Sequence, residues 1–222
     1  MRKKTGWPLA VVATLALTAS ATAQEPAAAT PPLPAPAAEA EKTGWEFGLS
    51  GTLYVLPDEA DYVQPTFKAD HGLFHFEARY DYEDLGSSSF FVGANFELGE
   101  KVKLALTPII GVVAGQTDGI IPALEAGLTF WRLEAYGEAE YVFDLDDSSS
   151  KYFYMWSELS LWPTEWLRAG MVTQRTRVYQ TERDIQRGLL VGFAFKKVDG
   201  TVCFFNPGAD DHFTVVSLGV SF

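Results

Sequence analysis

The chain has 222 residues, 29 acidic against 17 basic, with 47% apolar and 14% aromatic side chains and one cysteine, Cys203. A net charge of −12 argues against nucleic acid as a partner, since phosphates need a Lys/Arg surface. A lone cysteine excludes an internal disulfide.

In chain order the first element is an address. MRKK is a basic n-region, WPLAVVATLALTA an apolar stretch and Ala21-Thr22-Ala23 an A-x-A cleavage site, so residues 1–23 read as a signal peptide, too short for a membrane anchor. No cysteine follows the cleavage site to carry a lipid. Residues 24–43, rich in Ala and Pro, are expected to form an extended periplasmic linker outside any core. The remainder, 44–222, is expected to be one domain.

No later stretch offers the roughly 18 consecutive apolar residues of a transmembrane helix. Period-two alternation instead predicts twelve strands, over 45–56, 62–69, 73–82, 89–98, 101–114, 120–130, 132–143, 151–162, 166–178, 186–197, 199–206 and 212–222. The third sets Phe74, Phe76, Ala78, Tyr80 and Tyr82 against His75, Glu77, Arg79 and Asp81. The fifth sets Val102, Leu104, Leu106, Ile110 and Val112 against Lys101, Lys103 and Thr107. The seventh sets Leu133, Ala135, Gly137, Ala139, Tyr141 and Phe143 against Glu134, Tyr136, Glu138 and Glu140. The twelfth carries Thr214, Val216, Leu218, Val220 and Phe222 on one face and Ser217, Gly219 and Ser221 on the other.

The connections sort by strand parity. Those after even strands are tight (ADHG, GEK, Trp131-Arg132, PTE, VDG), and those after odd strands are more polar and often longer (PDEAD, EDLGSSS, GQTDG, DLDDSSS, QTERDI, NPGADD). Short turns on one rim and longer loops on the other define an all-β, transmembrane, antiparallel up-and-down barrel of about 12 strands with both termini periplasmic. Two aromatic girdles are expected: Trp45, Phe96, Trp131, Trp162, Trp166 and Phe222 on the periplasmic rim, and Tyr80, Tyr82, Phe90, Tyr141, Phe143 and Phe153 toward the outer rim. The competing architecture is a soluble barrel that hides its apolar face. Twelve strands would then enclose a broad apolar void, whereas lipid outside and polar groups inside avoid it.

These features resemble the small, porin-like β-barrel proteins of the Gram-negative outer membrane, over residues 44–222. The resemblance implies an outer-membrane location, contact with outer-membrane lipid and lipopolysaccharide, and insertion by the barrel-assembly machinery. In such families that machinery reads a last strand with alternate apolar residues and a terminal aromatic, and Val216, Leu218, Val220 and Phe222 match that pattern.

By parity the lumen receives Glu77, Arg79, Glu97, Lys101, Lys103, Glu125, Glu134, Glu138, Glu140, Glu158 and Arg168, together with Glu46, Lys68, Asp81 and Lys196. Glu125, Glu134, Glu138 and Glu158 are expected to form one acidic patch with Arg168 near its edge. The corresponding function is a narrow passive pore for small solutes or cations, since carboxylates raise the local cation concentration. The alternative is a closed structural or interaction barrel plugged by its own ion pairs. No outer loop is long enough to be expected to fold inward as a constriction. A lipase- or omptin-like enzyme would draw on His71, His75 or His212, but no Ser is placed against them, and Asp210, Asp211 and His212 suit a solvated loop better. No cofactor or metal is expected; Asp144, Asp146 and Asp147 of the DLDDSSS loop lack the remaining ligands of a calcium site.

Overall fold

The computed structural model describes residues 44–57, 60–146, 150–178 and 184–222, so the predicted signal peptide and the Ala/Pro-rich linker lie outside it. Thirteen strand segments run β1 Glu46–Val55, β2 Tyr62–His71, β3 Phe74–Tyr80, β4 Ser88–Ala94, β5 Phe96–Leu98, β6 Val102–Ala114, β7 Gly119–Phe130, β8 Leu133–Asp144, β9 Tyr152–Leu161, β10 Leu167–Val178, β11 Asp184–Phe195, β12 Val198–Phe205 and β13 Phe213–Ser221. Every boundary falls within two residues of the position read from alternation.

All neighbours are antiparallel, β1 pairs with β13, and the β4–β6 pairing closes the sheet on itself. Segments β4 and β5 both pair with β6 and are two parts of one strand, which makes a closed barrel of 12 strands. The break has a covalent cause. The registers Gly93↔Ile109 and Phe96↔Leu106 bring Pro108 opposite Ala94, and proline has no N–H to give the ladder. Asn95 sends its amide N–H to the Leu73 carbonyl, 2.7 Å away. The β7–β8 ladder likewise skips Ile121 and Pro122.

Polarity is inverted relative to a soluble protein. Leu49, Phe67, Phe76, Phe90, Ile110, Leu124, Leu189 and Leu218 are exposed on the outer surface, while Gln64, Thr66, His75, Glu77, Arg79, Glu138 and Glu140 are buried inside. An apolar belt of this extent is stable only against lipid, and closure leaves no unpaired strand edge in the bilayer. Strands of up to 13 residues exceed the roughly 9–11 needed to cross. The alternation therefore points its apolar face outward, as the transmembrane reading requires.

Tight turns lie on the rim that carries both ends of the barrel domain, here the terminal rim. Trp131 and Lys196 adopt φ of 55° and 58° there, the left-handed conformation that two-residue hairpin turns demand. Trp45, Trp131, Trp166 and Phe222 are exposed on this rim; Tyr80, Phe90 and Phe143 are exposed toward the far rim. Two expected girdle members are elsewhere. Trp162 lines the mouth of the lumen, and Tyr82 is folded into it. Lys196, expected inside, lies in the β11–β12 turn with its Nζ 5.4 Å from the Phe195 ring.

Two buried apolar clusters stand in the far half of the lumen. Tyr54, Val172, Leu190, Cys203, Phe205, Phe213 and Val215 form one buried apolar cluster, and Phe91, Ile109, Val113, Ile121 and Val142 form another on the opposite wall.

Candidate functional site: the barrel lumen

Arg79 is the centre of the lumen's charge. Inward parity on β3 aims it across the barrel, and Phe91 on β4 provides a surface for it, with the guanidinium carbon 4.5 Å from the ring centroid. Gly111 on β6 makes room for that ring, because a Cβ there would stand 2.3 Å from Phe91 Cδ1. Arg79 Nε and Nη2 donate to the two Glu77 oxygens at 2.9 and 3.2 Å, and Nη1 donates to Glu140 at 3.1 Å. Nη2 also lies 2.7 Å from Glu138 Oε1, while Glu83 and Glu125 are at 3.6 and 3.9 Å. With side-chain exposures of 1% for Arg79 and 2% for Glu77, water screens these pairs little.

Three neighbours extend the cluster. Lys68 on β2 donates to Glu125 at 2.6 Å and lies 3.6 Å from Glu77. Lys68 beside Glu125 and Arg79 beside Glu138 offset the repulsion between these two carboxylates, which face each other directly across β7–β8. His75 lies between Asp70, 2.8 Å from Nδ1, and Glu77, 3.4 Å from Nε2. Asn95, at the β4–β5 break, donates to Asp70 at 2.6 Å and accepts from Thr107 at 2.8 Å.

In the segment 81–87 between β3 and β4, Tyr82, Glu83 and Ser87 turn inward while Asp84, Leu85 and Gly86 stay exposed, so two side chains of a short loop reach the lumen where no inward loop was expected. Asp81 causes this. Its φ of 55° ends the strand alternation, and its Oδ1 accepts the Gly86 N–H at 2.6 Å, turning the chain over. Tyr82 thus leaves the outer face to which period two assigned it and donates its hydroxyl to Glu138 at 3.0 Å, its ring 4.2 Å from the Arg79 guanidinium carbon. Glu83 is buried, accepts from the Ser89 hydroxyl, and receives the Tyr152 hydroxyl on its backbone carbonyl at 2.5 Å. Asp81 itself does not point into the lumen as parity predicted.

A second cluster lies nearer the terminal rim. Arg168 on β10 donates to Glu158 at 2.7 Å and to Thr201 at 2.7 Å, with Glu134 at 3.6 Å. Trp156 donates its indole N–H to the other Glu158 oxygen at 3.0 Å. The single acidic patch expected from sequence is therefore divided: Glu125 and Glu138 belong to Arg79 and Lys68, and Glu134 and Glu158 to Arg168. Glu97, Lys101 and Lys103 lie exposed at the terminal rim. Asp70, Glu83 and Asn95 were not singled out by sequence reasoning, and Tyr82 was assigned to the outer aromatic girdle. Period two could have flagged Asp70, which shares the inward row of β2 with Gln64, Thr66 and Lys68.

The remaining space is eccentric. Inward positions on β13 and β1 are small, among them Ser217, Gly219, Ser50 and Thr52, so room is left on that side. A cavity of about 240 Å³ lies between this hydroxyl-rich wall and Tyr82, Tyr136, Glu138, Tyr154, Trp156 and Glu158. It adjoins a mouth of about 510 Å³ lined by Thr129, Glu134 and Trp162, and the two share Tyr136, Glu158, Arg168, Asp199 and Thr201. His212 lies outside this space, its Nδ1 2.9 Å from the Ala209 carbonyl.

A closed barrel of 12 strands with a lipid-facing belt and a polar, partly open interior defines the fold of an outer-membrane β-barrel protein. Solved structures agree on the fold: the KdgM porin superposes with a TM-score of 0.55 at 12% identity, covering 79% of this chain and 98% of that one. The same values describe the KdgM porin in complex with disordered oligogalacturonate. The NanC porin gives a TM-score of 0.55 at 9% identity, again over 79% and 98%. No protein-family model and no curated protein sequence matches the chain.

Proposed function

We propose that this barrel is a narrow, porin-like passive channel for small solutes that favours cations. The observation that carries the reading is the eccentric polar lumen, in which mouth and inner cavity share a wall bearing Glu158, Asp199 and Arg168. Along it Glu77, Glu138, Glu158 and Asp199 outnumber Lys68 and Arg168, and carboxylates in a confined path concentrate cations. The oligogalacturonate in one KdgM porin structure is a polyanion, and a polyanion would meet like charge here. In the orientation we infer, the terminal rim is periplasmic and the longer loops face outward. Outer-membrane lipid and lipopolysaccharide then cover the apolar belt, and the barrel-assembly machinery reads Val216, Leu218, Val220 and Phe222 on the lipid-facing row of β13.

A closed barrel with a structural or interaction role is the second reading. The apolar clusters in the far half and the inward Tyr82–Glu83 segment favour it. Planar-bilayer recording decides between them. The channel reading predicts small, discrete conductance steps from wild-type protein, and larger steps from a Tyr82→Ala/Glu83→Ala variant whose inward segment is trimmed. Folded protein that gives no steps in either form would establish the closed reading.

A further inference from the structure

Two adjacent strands carry an alternation that ion pairing alone does not require. On the inner face of β8 stand Tyr136, Glu138 and Glu140; on that of β9 stand Tyr154, Trp156 and Glu158. The register sets Glu140 opposite Tyr154, Glu138 opposite Trp156 and Tyr136 opposite Glu158. Each carboxylate thus faces an aromatic ring across the ladder, at the roughly 4.5–5.5 Å Cβ separation of directly paired residues. All but Glu140 of these side chains line the inner cavity of about 240 Å³, many times the roughly 10–15 Å³ that one water needs.

We propose that this checkerboard is a binding site for small organic ammonium ions, an assignment that rests on the channel reading for the ligand's route inward. An alkylated ammonium ion is weakly hydrated and cannot satisfy a carboxylate by donating several hydrogen bonds. It is held instead by ring faces within about 6 Å, with a carboxylate nearby to balance its charge. The lumen already holds one cation in this manner, since the Arg79 guanidinium carbon is 4.2 Å from the Tyr82 ring centroid. Tyr154 stands 6.1 Å from Tyr82 at an interplanar angle of 79°, so the two rings form a corner and not a stack. The Trp156 indole is fixed by its N–H bond to Glu158 at 3.0 Å. Glu138 is paired to Arg79 Nη2 at 2.7 Å, so of the carboxylates on this wall Glu158, which also lines the mouth, is the one nearest the open side. Small metal ions such as K⁺ gain less from ring faces because their hydration must be stripped, and an anion meets the carboxylates. The class therefore fits the walls better than either.

The test is equilibrium dialysis of labelled choline against the folded full-length barrel in a non-ionic detergent, at constant ionic strength set with KCl. Wild-type protein should retain choline saturably, and tetramethylammonium should compete where sorbitol at the same concentration does not. Trp156→Leu should weaken retention roughly three- to thirtyfold, while Trp156→Phe, which keeps a ring face, should lose less. If Trp156→Leu fails to reach the folded, heat-modifiable form, the competition on wild-type protein gives the decision. Absence of saturable retention by folded wild-type protein overturns the site, and so does competition by sorbitol equal to that by tetramethylammonium. A barrel that conducts in bilayers yet retains no choline overturns this inference while leaving the channel reading standing. One that retains choline without conducting upholds the site and removes the channel.

Discussion

Arg79 is encircled by Glu77, Glu83, Glu125, Glu138 and Glu140, and it is the residue through which the lumen's wall is held together. Removing one partner of a buried ion pair leaves the others uncompensated and costs about 3–5 kcal/mol. Arg79→Met should therefore lower the denaturant midpoint of the detergent-folded barrel by that order, and Arg79→Lys should restore only part of it, because an ammonium cannot reproduce the forked contacts to Glu77 and Glu140. An unchanged midpoint in Arg79→Met would show that the cluster is not load-carrying in the folded state. Parity in the sequence placed Glu77, Arg79, Glu138 and Glu140 inside but did not say which carboxylate belongs to which cation. That depends on the distance across the barrel, between strands far apart in the chain. Arg79 and Glu140 are 61 positions apart and meet at 3.1 Å.

At the scale of elements, alternation carried the fold. Strand limits, the even count and the two rows of each strand were readable because the side-chain period of two is fixed by backbone geometry, and the outward direction followed from the size of a 12-stranded barrel. What alternation missed are the places where the backbone leaves the pleat. Asp81 turns Tyr82 from the outer face to the inner one, and Pro108 splits the strand at Asn95. The direction of the apolar row has a direct test on β7. Leu124→Arg should destabilise the barrel by about 2–4 kcal/mol if that side chain lies near the bilayer midplane. A Leu124→Arg protein as stable as wild type would refute the lipid-facing assignment. Directly after β13, Phe222 exchanges backbone hydrogen bonds with Phe47 at 3.0 and 2.9 Å and stacks on its ring at 5.7 Å, at the seam where β1 meets the last strand. Phe222→Ser should lower the amount of heat-modifiable barrel recovered from membranes. Recovery at the wild-type level would remove both the seam contact and the assembly signal as reasons for an aromatic there.

For the whole molecule, the lumen combines a far half lined by buried apolar clusters with a near half that is polar, eccentric and acidic. On the channel reading, passage would depend on the inner cavity and on the inward Tyr82–Glu83 pair beside it, and selectivity on the excess of carboxylates over Lys68 and Arg168. Salt should weaken that selectivity, since at 1 M the Debye length falls to about 3 Å, shorter than the span of the cavity walls. Neutralising Glu138 and Glu158 to Gln should do the same at low salt while the barrel still folds. The most direct test of a cation-favouring conduit is the reversal potential of the wild-type barrel in a planar bilayer under a KCl gradient. The account predicts a potential displaced toward the K⁺ equilibrium value, shrinking as salt is raised on both sides. A potential at zero or displaced toward the Cl⁻ value, in a protein that conducts, would contradict it.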